Sequence, residues 1–376
     1  MVSKKQKRVY WDTAASTPLD KGVFRSMLPY LDKEWGNPAS VHLEGVLANK
    51  AVGRARAEIA RILSAHPDEI IFTSNGTESD NLAILGLAEA HAHGSIITSE
   101  IEHKAVLEPC RYLQKKGYQV TYLPTDNEGK IDLKKFKEAL TPKTFLVSIM
   151  LANNEHGAIQ PIKDVAKIIR HWRKEQGSKL PYLHTDACQA GRFLDLNVEK
   201  LGVDLLTFNG SKIYGPKGAG VLYVKRGIIL SPQMMGGEQE SGRRSGTLNV
   251  PAIVGLAEAL KVCEKKREQE SVRLIKIRDY LILELKKIAG LTINGGEKDR
   301  LANNINFSIA NFEGEQLVIE LDAKGFAVSS GSACSSADSV NNNVRVSLDR
   351  EATIGQAKLF VKVLKEIVEK YRNVMI

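Results

Sequence analysis

Six short apolar runs, "EIIFTS", "SIITSE", "FLVSIML", "PYLHTDA", "VDLLTF" and "GVLYV", alternate with helical stretches such as "ESDNLAILGLAEAHAH", "VLEPCRYLQKKG" and "IKDVAKIIRHWRKEQG". Runs this continuously apolar suit strands covered on both faces, and a helix between successive runs is the connection that parallel strands need. The expected fold is therefore α/β with a mainly parallel sheet. Past about Pro251 the alternation stops. Two long amphipathic helices are expected there, then a strand in "NNINFSI", a helix from "EGEQLVIELDAKG", the short run "FAVSSGSACSS", a strand "VRVSL" and a final helix. The expected division is a large domain over 11–255 and a smaller α+β domain made from 1–10 and 256–376.

Composition removes several function classes. With 43% hydrophobic and 26% charged residues over 376 positions, the chain can bury a large core, which excludes disordered and collagen-like classes. The net charge of +9 invites a nucleic-acid reading, but the bases in "CEKKREQESVRLIKIRDYLILELKK" alternate with acids, as on a solvated helix face. Nucleic-acid binding is therefore not expected. No apolar run has the length of a secretion signal or a membrane span, so the expected location is the cytoplasm, without membrane contact. Cys110, Cys188, Cys263 and Cys334 are too scattered for a disulfide framework or a paired zinc site, so no metal is expected and any special cysteine should act as a thiol.

In open α/β sheets, ligands gather beyond the carboxyl ends of the strands. After "IIFTS" comes "NGTES", in which Gly76 and Thr77 open a helix and can cradle a phosphate, although the same turn is also a plain helix cap. His103 follows "IITSEIE", Asn153 and Asn154 follow "VSIMLA", Asp186 and Gln189 follow "YLHT", and Lys212 follows "LLTFNGS". One sheet edge thus collects a phosphate cradle, an imidazole, amides, a carboxylate and an amine. Pyridoxal phosphate needs that set: a lysine for its Schiff base, a carboxylate on its ring nitrogen and donors for its phosphate. Lys212 follows an apolar strand and can be buried, whereas Lys217, between Pro216 and Gly218, reads as a turn residue in water. Taken singly, Lys212 is equally a second turn lysine, Asp186 a helix cap and His103 a polar loop residue. Their shared placement is what favours the cofactor.

The stretches "DTAAST", "GNPASVH", "TSNGTESDNLAI", "SEIEHKAV", "ANNEHGAIQP", "HTDACQ", "SKIYGPKGAG", "RRSGTLN" and "SSGSACSS" follow one another as in the cysteine desulfurases, which the chain resembles from about Tyr10 to its final helix. These are fold type I pyridoxal-phosphate enzymes of the class V aminotransferase group. "SSGSACSS" is similar to the branch that feeds iron–sulfur cluster assembly and tRNA thiolation. The resemblance implies Lys212 as the Schiff-base lysine, Asp186 on the pyridine nitrogen, Gln189 on the ring oxygen and His103 over the ring, moving protons. It implies Gly76 and Thr77 at the phosphate, with Asn209 and Ser211 as further donors and Thr247 contributed by the other subunit of a homodimer. It implies Asn154 and Arg345 on the carboxylate of the substrate, L-cysteine, and Cys334 as the nucleophile. L-Alanine would form, leaving a Cys334 persulfide for a sulfur acceptor or iron–sulfur scaffold protein. Cys188 is expected to serve packing, and Cys110 and Cys263 to be buried small residues.

Two departures from the family pattern stand out. Asn209-Gly210-Ser211 replaces the usual Ser-Gly-His before the lysine, removing a possible positive charge near the phosphate. Only ten residues separate Cys334 from Arg345, fewer than this branch usually carries. Ten extended residues reach at most about 35 Å, so a shorter, stiffer catalytic loop is expected. Three readings compete: the desulfurase; another class V pyridoxal-phosphate enzyme, such as a selenocysteine lyase or aminotransferase; and a catalytically idle scaffold for sulfur-transfer proteins.

Overall fold

The computed structural model describes residues 8–330 and 342–372, so Cys334 and the segment expected to be its short loop lie outside the described residues. The chain divides into two units. The large one comprises Pro18–Asn153 and Ile159–Lys266; the small one comprises Met1–Thr17, Asn154–Ala158 and Arg267–Ile376.

The large unit is built on a seven-stranded sheet. In spatial order its strands are Ile70–Thr73, Gly220–Val224, Leu205–Asn209, Tyr182–Asp186, Thr144–Ser148, Ser95–Ser99 and Gln119–Leu123. Four neighbouring pairs are parallel, and Gly220–Val224 alone runs antiparallel, against both its neighbours. Alternate residues of each inner strand enter opposite cores. Ile97, Val147 and Leu206 join the core with helices Leu43–Leu63, Leu133–Ala139 and Ile162–Gln176. Ile96, Leu146 and Leu205 join the core with helices Gly76–Ala88 and Lys104–Lys115. Both faces are dry, as the unbroken apolar runs required. Gln119–Leu123 is an added edge strand. Its first four residues alternate between exposed and half-buried, so its sequence carries no continuous apolar signal.

The small unit holds an antiparallel sheet ordered Ser329–Ser330, Asn343–Ser347, Asn304–Ile309, Leu291–Ile293. Val9–Tyr10 pairs in parallel with Phe326–Ala327, and Trp11 lies wholly buried against Phe326 and Phe360, with ring centroids 5.7 and 5.6 Å away. This packing draws residues 11–17 into the small unit, beyond the 1–10 expected. The two amphipathic helices expected after Pro251 are one helix, Val250–Leu285. No proline or glycine follows Gly255 within it, so nothing in its backbone chemistry stops it. The division between the units falls inside this helix, at Lys266 and Arg267, eleven residues past the expected boundary.

Candidate active site

Six strands of the large sheet point their carboxyl ends to one edge, and the antiparallel strand begins there at Gly220. The turn after Ile70–Thr73 enters helix Gly76–Ala88, where Asn75 accepts the Glu78 N–H at 2.9 Å as N-cap. Gly76 is required by close approach. A Cβ there would lie 2.6 Å from Cys188 Sγ and 3.1 Å from Asn209 Nδ2. The turn therefore presses its backbone onto the segments that end strands Tyr182–Asp186 and Leu205–Asn209. The positive pole of a 13-residue helix sits at that turn, with Thr77 exposed on its first turn.

The next turns carry the other groups. Asp186 ends its strand, is buried, and accepts the Cys188 N–H at 2.8 Å, which fixes one carboxylate oxygen. Gln189, three residues on, is half-buried. Asn209 ends strand Leu205–Asn209 and accepts a hydrogen bond from the Ser211 hydroxyl at 3.3 Å. Lys212 closes the short 3₁₀ turn Gly210–Lys212 and is half-buried, whereas Lys217 is exposed, as their settings in the sequence implied. Burial, reinforced by the Asp186 and Asp80 charges, pushes the Cys188 thiol well up, although the Lys212 ammonium acts the other way. Cys188 is thus a protonated packing group, and Cys110 and Cys263 are buried as well. His103 is the exposed N-cap of helix Lys104–Lys115, and its Nδ1 accepts the Ala105 N–H at 3.1 Å.

Thr247 is exposed at the end of a loop tied to the same turn. Arg244 donates to Glu78 at 2.7 Å, and Gln239 accepts the Gly246 N–H at 2.7 Å. Three non-glycine residues of this loop, Glu238, Glu240 and Ser241, adopt positive φ. Glu240 is held there by Arg56 at 2.5 Å and by the Phe72 N–H at 2.8 Å. Asn154 and Arg345 belong to the small unit. Arg345 is buried, donates to the Asn154 carbonyl at 3.3 Å and pairs with Asp12 at 2.9 Å.

Three buried groups behind the sheet edge escaped the strand-end rule. His184, on the same strand face as Asp186, lies 2.9 Å from the Ser148 hydroxyl through Nδ1 and 3.1 Å from the Thr207 hydroxyl through Nε2. Burial pulls it down to about 3. Asp80, on the covered face of helix Gly76–Ala88, lies 3.6 Å from His184 and is pushed well up, by burial first and then by the Asp186 charge. Burial therefore disfavours the charged form of both partners and works against an ion pair at this contact. Glu102 is raised to about 8 by burial, although the Ser99 hydroxyl at 2.6 Å and the Met150 N–H at 2.9 Å favour its anion. An acid inside the apolar stretch "ESDNLAILGLA" was the available sign for Asp80; nothing comparable marks Glu102.

These residues fit pyridoxal phosphate. The backbone turn at Gly76, the oriented Asp186 carboxylate and the half-buried Lys212 amine arise from turns of one sheet edge, and burial disfavours the anions of Asp80 and Glu102 behind it. Among the described residues no group of side chains could hold a metal ion, and no helix is long and apolar enough to cross a membrane.

The comparisons with known proteins agree. A family described as aminotransferase class-V matches residues 9–360. The chain is 42% identical to a protein named cysteine desulfurase IscS from Dictyoglomus turgidum, over 98% of this chain and 96% of that one. A solved structure titled NifS-like protein superposes with a TM-score of 0.91 at 36% identity, covering 96% of this chain and 99% of that one. A structure titled SspA in complex with cysteine gives 0.78 at 34% identity, with 92% and 100% covered. With that family match and these relatives, the chain belongs to the class-V aminotransferase family, whose cofactor is pyridoxal phosphate.

Proposed function

We propose that this protein is a cysteine desulfurase, converting L-cysteine to L-alanine with transfer of the sulfur to Cys334. The observation that carries the reading is the convergence of Gly76, Asp186 and Lys212 on one sheet edge. Near-full-length relatives named cysteine desulfurase support it.

Bound pyridoxal phosphate supplies an electron sink that labilises the Cα proton of an amino acid and activates its Cβ–S bond. Lys212 would hold the cofactor covalently through its amine. Asp186, fixed by the Cys188 N–H, would pair with the ring nitrogen. Gln189 would bind the ring oxygen, while Gly76, Thr77, Asn209 and Ser211 would take the phosphate. His103 moves a proton at Nε2. Arg345 and Asn154 bind the substrate carboxylate, a task suited to a planar guanidinium. The Cys334 thiolate attacks the substrate sulfur; the new S–S bond forms as the Cβ–S bond breaks, and the carbon fragment, once protonated, leaves as L-alanine. The persulfide then passes to an acceptor serving iron–sulfur cluster assembly or tRNA thiolation.

The same reading makes the active protein a cytoplasmic homodimer in which Thr247 reaches the phosphate of the second subunit. The exposed Thr247 on a loop braced by Arg56, Glu240, Arg244 and Glu78 supports that assignment. It also takes the large unit as the cofactor-binding domain and the small unit as the carrier of Cys334.

The test is L-alanine formation from L-cysteine by cofactor-loaded protein with a thiol reductant, run beside Cys334→Ala. Multiple turnovers abolished by the substitution are expected. Full activity in Cys334→Ala would favour a class V enzyme that needs no thiol, such as an aminotransferase. Absence of product from the wild type, with capture of sulfur-transfer proteins, would favour the scaffold.

A further inference from the structure

Residues 154–158 are gripped within the small unit at four of their five positions. Arg345 Nη1 donates to the Asn154 carbonyl at 3.3 Å. Asn304 Nδ2 and Asn306 Nδ2 both donate to the Glu155 carbonyl, at 2.9 and 3.2 Å. The Leu301 N–H donates to the Gly157 carbonyl at 2.9 Å, and Ala158 bridges to Arg300.

The grip has a defined origin. Asn304 and Asn306 stand two apart on strand Asn304–Ile309, so their amides share a face, and Arg345 is the cross-strand partner of Asn306. Both amides are almost wholly buried. Asn306 is itself fixed, its Oδ1 accepting from Asn294 Nδ2 at 2.7 Å. Gly157 adopts φ 75°, and a Cβ there would lie 2.6 Å from Asn304 Cγ. The loop backbone is therefore seated directly on the amide.

We propose that Asn304 and Asn306 are positioning residues for the substrate carboxylate, holding the Asn154 amide and the Arg345 guanidinium in one frame through the Glu155 carbonyl. This rests on the carboxylate role given to Asn154 and Arg345 above. A core packing role would act on the fold as a whole. The clamp instead acts on the backbone one residue from Asn154, from the position facing Arg345, so its loss should be felt by the carboxylate alone.

Cysteamine separates the two, because it keeps the amine and thiol of L-cysteine and lacks the carboxylate. Cofactor-loaded wild type, the Asn304→Ala/Asn306→Ala double variant and the milder Asn306→Ser are titrated with each ligand, following the visible spectrum as Lys212 is displaced. Removing two buried donors from one carbonyl is expected to weaken L-cysteine about tenfold in the double variant, with cysteamine unchanged within about twofold. Asn306→Ser should shift the same ratio less, and serves if the double variant does not fold. Equal weakening of both ligands, or no change in either, would overturn the clamp while the preference of the wild type for L-cysteine upheld the carboxylate reading. A wild type that binds both ligands alike would sink that reading and the clamp with it.

Discussion

The two sheets present chemistry in different ways. In the large unit, the candidate groups sit on turns at or just beyond strand ends, where the backbone itself is part of the arrangement: Gly76, the Cys188 N–H on Asp186, and Lys212 closing a 3₁₀ turn. In the small unit, Asn304, Asn306 and Arg345 sit in the paired ladder of an antiparallel sheet and act through side chains on a segment remote in sequence. The first arrangement follows from topology, since parallel strands deliver their ends to a common edge. The second depends on register, which sets the partner opposite Arg345. Groups on turns beyond the strand ends should accordingly govern the chemical step, and groups in the strand ladder the binding of substrate.

The sharpest way to break this comparison is Lys212→Ala. Removing the amine should lower L-alanine formation by a factor on the order of 10³ or more and abolish the absorbance of covalently held cofactor. Retention of that absorbance would move the Schiff base to another lysine. A smaller effect is expected from Gly76→Ala. Its Cβ must displace Cys188 Sγ, at a cost of about 1–3 kcal/mol, read as weaker cofactor binding. Cys188→Ala in the same chain should restore part of it, and failure of that rescue would mean that the backbone conformation, not the close approach, requires glycine.

The smallest effect concerns pH. Glu102 is raised from 4.5 to about 8, so its contribution to stability is full below pH 4.5 and is lost as pH climbs through 8. His184, lowered from 6.5 to about 3, contributes fully above pH 6.5, and that contribution is lost as pH falls through 3. Glu102→Gln keeps an acceptor for Ser99 and Met150 and removes the titration. Its melting temperature should fall less than that of the wild type between pH 5 and 8, by an amount equivalent to roughly 1–3 kcal/mol. Parallel curves would show that water reaches Glu102.

Much of the large sheet was legible because inner strands covered on both faces leave unbroken apolar runs, and the groups after them fall on one edge by topology alone. Lys212, Asp186 and the Gly76 turn stand out as candidates in this way. Gln119–Leu123 was not, because an edge strand with one half-open face alternates instead. Helix Val250–Leu285 read as two because its surface changes from apolar to strongly charged midway, although continuity depends on backbone breakers and none occurs after Gly255. Asp80, His184 and Glu102 stayed hidden because a buried acid and an exposed one have the same letter. Asn304 and Asn306 resemble any polar pair in a strand until the register brings them under Glu155.

The lone antiparallel strand has a consequence for the order in which the protein is made. Ile70–Thr73 is an edge strand, and its one neighbour in the sheet is Gly220–Val224. The turn that follows it, with Gly76, has no sheet to dock against until synthesis has passed Val224, about 150 residues later in the chain. By then Asp186, Asn209 and Lys212 are all part of the chain. The Gly76 turn is thus docked only when the turns bearing Asp186, Asn209 and Lys212 are already made, so the candidate site closes late in synthesis of the large unit, around groups that are already present.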